Sequence, residues 1–120
     1  MVHVKALKNY KQAIIPGEKF TQYALNSAIP GKGKDKAIAF NQYLGYNQDN
    51  VDELISQIFK KLPEYEAVFK GNNVYGDKYQ VDILIDGANG NTVNVRTGWL
   101  YEPGSDIPRM VTVYVKPIKR

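Results

Sequence analysis

A chain of 120 residues, 43% hydrophobic and 23% charged, has the length of one domain and the composition of a folded globular protein. It holds no cysteine, which removes disulfide scaffolds, thiolate metal sites and cysteine nucleophiles. Its one histidine, His3, next to the chain start, nearly removes histidine-based metal sites and a Ser-His-Asp triad. The net charge of +4 is uneven: residues 1–40 carry +5 and residues 41–120 carry −1. A basic segment on a nearly neutral body suits an anionic partner, and it equally suits lysines that keep a loop soluble.

No apolar run approaches the ~20 residues that span a membrane, and Met1-Val-His-Val-Lys5 lacks the apolar core of a signal peptide. Residues 1–15 have mixed polarity and weak periodicity, and read as a lead-in segment or linker remnant before a single domain over 16–120. Pro16-Gly17 marks a turn. Phe20, Tyr23 and Ala24 recur at helical spacing, so Glu18–Asn26 is predicted helical. A loop follows from Ile29 to Asp35. A second helix is predicted from Asp35 to Leu44, with Ala37, Phe40 and Leu44 on one face and Gly45 placed to end it.

The third predicted helix has the clearest pattern. Val51, Leu54, Ile55, Ile58 and Leu62 form an apolar stripe. Asn50 and Glu53 have the spacing of a capping box, Lys60 and Lys61 suit the C-terminal dipole, and Pro63 is a stop. Beyond Pro63 the period changes from 3.6 to 2. Glu66–Lys70 reads as a short strand, and Tyr79, Val81, Ile83 and Ile85 alternate with polar residues in the next. Asp86–Gly90 is a hairpin-type connection. Val93, Val95, Thr97, Trp99 and Tyr101 alternate in a third strand, and Val111, Val113 and Val115 in a fourth. The predicted class is α+β, with N-terminal helices packed on one face of an approximately four-stranded antiparallel sheet.

Alternation divides the sheet. Tyr79, Val81, Ile83, Ile85, Val93, Val95, Trp99, Val111, Val113 and Val115 belong to an apolar face. Lys78, Gln80, Asp82, Asn94, Arg96, Thr112 and Tyr114 belong to the other. A one-sided antiparallel sheet accounts for such a set without any function. The functional reading is that Lys78, Arg96, Thr112 and Tyr114 converge on a phosphate. Arg96 brings a planar donor fork, Lys78 a movable charge, and Thr112 and Tyr114 two hydroxyls about 7 Å apart along one strand. Asp82 is an ion-pair partner on that face, and Trp99 a core anchor.

The loop Gly31-Lys-Gly-Lys-Asp-Lys36 lacks the spacing of a nucleotide-binding phosphate loop. Lys32, Lys34 and Lys36 can still hold the backbone of a polyanion, or serve only as a solvated loop. The acids are too irregularly spaced for a calcium loop, so no metal site is expected, and no cofactor. Tyr43, Tyr46, Tyr65, Tyr75 and Tyr101 look like rim or packing residues. One or two can stack on nucleotides, but no spacing selects them.

The order Glu18-Lys-Phe-Thr-Gln-Tyr-Ala-Leu-Asn26, Gly33-Lys-Asp-Lys-Ala37, Phe40, Leu44-Gly45, Tyr75-Gly-Asp-Lys-Tyr79, Asn89-Gly90, Val95-Arg-Thr-Gly-Trp99 and Pro108-Arg-Met-Val-Thr112 resembles a family of small bacterial domains. These occur alone and as C-terminal modules of polymorphic and contact-dependent inhibition toxins. The likeness runs from about residue 14 to 115. The layout also resembles the barnase–EndoU–colicin–RelE group of metal-independent ribonucleases, whose exposed sheet face cuts RNA through the ribose 2′-hydroxyl.

The resemblance implies a ribonuclease toxin, with tRNA among its candidate targets. It would be delivered from outside and act in the cytoplasm of a target cell, neutralised by a cognate, acidic immunity protein. Lys78, Arg96, Thr112 and Tyr114 would then be catalytic, and Lys32, Lys34 and Lys36 would bind RNA. With no histidine beyond His3, the chemistry would rest on Lys, Arg, Tyr or Thr. The alternative is a non-enzymatic interaction domain, an adaptor or an immunity-like partner.

Overall fold

Apolar residues at helical spacing and then at strand spacing produce two layers. The computed structural model describes residues 5–17, 39–47 and 49–117. The helix expected over 18–26, the loop over 29–35 and the start of the second expected helix lie outside the described residues. The described part of that second helix, α1, is residues 39–44. It ends on Gly45, whose φ of 73° is the left-handed turn that glycine adopts without strain. Gly45 N–H closes the helix by donating to the Asn41 carbonyl at 2.9 Å.

The next helix, α2, is Val51–Lys61. Its stripe behaves as its spacing predicts: Val51, Leu54 and Ile58 are buried, Asp52 and Glu53 lie in the first turn, and Lys60 and Lys61 in the last. The capping box does not form. Asn50 makes no side-chain cap bond. Its amide instead donates to the Gly45 carbonyl at 3.0 Å and accepts from Asn47 N–H at 2.8 Å, so it ties the interhelical turn together. Pro63 does end the helix, through a 3-10 turn over Leu62–Glu64.

Four antiparallel strands follow in the spatial order β1-β2-β3-β4: Val68–Asn73, Gly76–Asp86, Thr92–Tyr101 and Arg109–Val115. The first strand starts later and runs further than the predicted Glu66–Lys70. Ala67 N–H is taken by the Lys5 carbonyl instead of a sheet neighbour, and the turn-like Gly71, Asn72 and Asn73 pair with β2 on the far side of a bulge. Gly76 has φ 131°, and a Cβ there would lie 2.0 Å from the Tyr101 carbonyl oxygen, so only glycine fits this crossing of β2 over the end of β3.

The core lies between the helices and one sheet face. Val81, Ile83, Ile85, Val95, Trp99 and Val113 meet Phe40, Leu44, Leu54, Ile58 and Leu62, all buried. Each such side chain contributes roughly 1.5–3 kcal/mol by leaving water. Trp99 is the expected anchor. Its indole N–H donates to Thr97 Oγ1 at 2.8 Å, and that hydroxyl donates to the Val81 carbonyl at 2.7 Å, so the buried polar pair is satisfied.

In β4 the alternation fails. Between Gly98/Thr112 and Trp99/Met110 the register shifts, leaving Val111 as the extra residue of a bulge in β4. Met110, expected outside, is therefore in the core, and Val111, expected inside, lines the outer face.

Residues 5–17 also reach the core. Leu7 is 1% exposed, Tyr101 Oη donates to the Lys8 carbonyl at 2.5 Å, and Ile14 makes a single parallel bridge to Arg109 at the β4 edge. Among the described residues, no helix is long and apolar enough to cross a membrane.

Candidate functional site

Register places the outer-face residues in rows across the sheet. Asp82, Arg96 and Tyr114 stand side by side on β2, β3 and β4. The next row is Gln80, Gly98 and Thr112. Lys78 lies one row further, opposite Leu100. Arg96, Tyr114 and Thr112 are thus brought together, as expected. Lys78 is one row from Thr112 and two rows from Arg96 and Tyr114, four residues or about 13 Å along β2 from Asp82. Asn94, expected on this face, is buried, with its Nδ2 donating to the Lys116 carbonyl at 3.1 Å. Lys32, Lys34 and Lys36 lie outside the described residues.

The first row is a closed electrostatic unit. Arg96 Nε donates to Asp82 Oδ1 at 3.0 Å and Nη2 to Oδ2 at 3.1 Å, a two-pronged pair whose side chains are 28% and 35% exposed. Tyr114 hydrogen-bonds the same guanidinium. The bond to Asp82 first, and then that to Tyr114, raises the Arg96 pKa well above its ordinary value, so the guanidinium is a permanent cation. The expected pairing of Asp82 is seen, and it has a cost for the site: the Arg96 charge already has a carboxylate. A phosphate there would meet a cation whose two inner donors are committed.

The second row is open. Gly98 has no side chain, and the space a Cβ would take is filled by the Thr112 methyl, which would come within 2.3 Å of it. The missing side chain at Gly98 therefore leaves the room in which the Thr112 methyl lies. Beside it runs a groove of about 530 Å3, lined by Leu100, Val111, Thr112, Gln80, Lys78 and Tyr75. Tyr75, in the turn between β1 and β2, is 68% exposed. Among the described residues, the Gln80 amide and the Thr112 hydroxyl have no hydrogen-bond partner, and Lys70 and Lys78 have no carboxylate.

Gln80 was visible in the alternation without any feature to single it out, and Leu100 and Val111 carry no polar signal. Tyr75 was one tyrosine among nine. Only the register and the bulge bring these residues to one groove. Among the described residues, no group of three or more His, Cys, Asp or Glu could hold a metal ion.

Comparison with known proteins identifies the chain's family. Residues 6–117 match the family described as Domain of unknown function (DUF6883), and the chain belongs to it. No curated protein is significantly similar to the chain. Its fold is similar to that of a chain in a solved complex titled contact-dependent growth inhibition toxin–immunity protein complex from Klebsiella pneumoniae 342. The TM-score is 0.63 at 14% identity, over 86% of this chain and 99% of that one. At that identity the likeness shows a shared fold.

Proposed function

We propose that this chain is the toxin module of a bacterial contact-dependent inhibition pair, and that it cleaves RNA without a metal. One observation carries the reading. The sheet that shares its fold with a chain of the toxin–immunity complex presents, on its open side, Arg96, Tyr114 and Thr112 in adjacent rows.

The chemistry follows from that set. A base removes the proton from a ribose 2′-hydroxyl. The oxygen attacks the neighbouring phosphorus, and the 5′-oxygen leaves with a proton, giving a 2′,3′-cyclic phosphate and a 5′-hydroxyl. Arg96 stabilises the charge that develops on the phosphate oxygens. Thr112, lying over Gly98, orients the phosphate or the ribose. Tyr114 moves a proton at the reacting oxygens. Lys78 neutralises an adjacent phosphate, because its row is too far away for it to share the one at Arg96.

Lys32, Lys34 and Lys36 hold the RNA backbone. Their single alanine variants should weaken binding modestly and in a salt-dependent way. A cognate acidic immunity protein covers the same face, and the module acts in the cytoplasm of the cell that receives it.

Incubation of the purified chain with tRNA and with total RNA in EDTA tests this. The expected products carry 2′,3′-cyclic phosphate and 5′-hydroxyl ends. No cutting of RNA in EDTA, with cutting of DNA once magnesium is added, overturns it.

The pairing of Arg96 with Asp82 favours a second reading, a non-enzymatic interaction domain such as an adaptor or immunity-like partner. A surface whose cation is already neutralised suits protein contact. Expression in bacteria separates the two readings. The toxin arrests growth, whereas the immunity-like partner leaves growth unaffected and protects against a co-expressed toxin.

A further inference from the structure

The groove beside Thr112 is lined, besides Thr112 and Lys78, by residues that the cleavage step does not use. Leu100 and Val111 give it an apolar floor. The Tyr75 ring stands at its side, 68% exposed, and adds an aromatic wall to a groove that already has apolar and polar lining. Gln80 and Thr112 bring a donor–acceptor amide and a hydroxyl that meet no partner among the described residues. Lys70 and Lys78 flank the groove with charges that have no carboxylate. The Gln80–Gly98–Thr112 row lies next to the Asp82–Arg96–Tyr114 row, about 7 Å away by strand rise.

An acidic peptide would satisfy the lysines and leave the ring, the apolar floor and the Gln80 amide unused. A flat heteroaromatic ring with a hydrogen-bonding edge, attached to a phosphodiester chain, uses all of them. The ring lies on Leu100 and Val111 against Tyr75, its edge meets Gln80, and the flanking phosphates meet Lys70 and Lys78. We infer that this groove is a nucleobase subsite, which takes one unstacked base of a single-stranded RNA and so sets which phosphate reaches Arg96. The inference rests on the ribonuclease reading and supplies its sequence preference.

The test needs no cleavage. A short oligoribonucleotide, 2′-O-methylated throughout so that it cannot be cut, is titrated by fluorescence anisotropy, together with copies in which one base at a time is removed. With the wild-type chain, removal of one particular base should weaken binding about tenfold and removal of the others far less. Tyr75→Ala should weaken binding of the intact strand by a similar factor and erase the penalty for that base. Tyr75→Phe should behave as wild type. Tyr75 is exposed, so folding should be unaffected, and thermal melts check this.

The subsite is overturned if all base removals cost the same, or if the penalty persists in Tyr75→Ala. It is overturned as well if a poly-glutamate peptide binds as tightly and is weakened equally by Tyr75→Ala. A strand bound with this signature by a chain that cuts no RNA removes the ribonuclease and keeps the subsite. RNA cut with no base-dependent binding removes the subsite and keeps the ribonuclease. No binding of the strand at all removes the subsite, whatever the cleavage assay shows.

Discussion

Asp82 and Asp86 stand four residues apart on β2, on the same side of the strand, and each holds a cation. Asp86 is exposed at the sheet's end, where Lys61 and Gln57 of α2 reach it. Its carboxylate accepts from Thr92 Oγ1 at 2.8 Å and Lys61 Nζ at 3.2 Å. Its backbone N–H donates to Gln57 Oε1 at 2.6 Å, and its carbonyl accepts from Tyr46 Oη at 2.8 Å and Gln57 Nε2 at 2.9 Å. These bonds tie α2, the turn before it and β3 to the end of β2. Asp82 sits mid-face, pairs with an arginine of the neighbouring strand and, among the described residues, makes no bond to a helix. Two carboxylates of the same strand therefore do different work: one fastens the fold, and the other sets the charge of an open surface.

That contrast breaks most sharply at Arg96. Under the proposed function, Arg96→Ala should lower the RNA cleavage rate ~10²–10³-fold, as loss of a transition-state donor does. It should cost stability only about 0–1 kcal/mol, because a pair about one-third exposed is partly screened. Asp82→Asn should split the effects. Binding of RNA tightens at low salt, because the guanidinium loses its counter-charge, and the rate falls because the fork is no longer aimed. Asp86→Asn should leave the rate at the wild-type level. Initial rates in EDTA, with thermal melts for every variant, decide this. A fully active Arg96→Ala would take the chemistry away from this row.

The second expected effect concerns the row next to it. Gly98→Ala puts a methyl where the Thr112 methyl already sits, at 2.3 Å. The overpacking should cost about 1–3 kcal/mol and displace Thr112. Thr112→Ser removes the offending methyl and keeps the hydroxyl. The double variant Gly98→Ala/Thr112→Ser should therefore be more stable than Gly98→Ala alone, a coupling that urea denaturation measures directly. Additive losses would show that Thr112 is not held by Gly98.

The sequence made the layers legible because burial is periodic. The α2 stripe, the Tyr79–Ile85 alternation and the change of period at Pro63 each report one-sided packing, and the structure places Leu54, Ile58, Val81, Ile83 and Ile85 in the core accordingly. Periodicity has no memory of a bulge. One extra residue at Val111 exchanged the sides of Val111 and Met110, and with them part of the groove. The buried place of Leu7 carries no periodic signal, because its segment is held by isolated bonds to its carbonyls, from Ala67 N–H to Lys5 and from the Tyr101 hydroxyl to Lys8. For the site, residue type and strand parity were enough to bring Arg96, Thr112 and Tyr114 to one face. The distance of Lys78 from them depends on position along the strand, which the sorting into faces ignores.

The smallest expected effect is the pH dependence that Asp86 contributes. The hydrogen bond from Thr92 first, and then the bond and charge of Lys61, lower its pKa below the ordinary 3.8. A carboxylate held lower in the folded chain than in the unfolded one stabilises the fold in its ionised form. That contribution is complete above the unfolded value and disappears as the pH falls through the folded one. Wild type should therefore exceed Asp86→Asn in urea-denaturation stability at neutral pH, and the gap should close below the ordinary carboxylate range. The carboxylate is exposed, so the gap should be smaller than the loss in Gly98→Ala. If wild type and Asp86→Asn are instead equally stable at every pH, Asp86 holds α2 to β2 by its backbone bonds to Gln57 and Tyr46 alone, and the ion pair with Lys61 adds nothing to the fold.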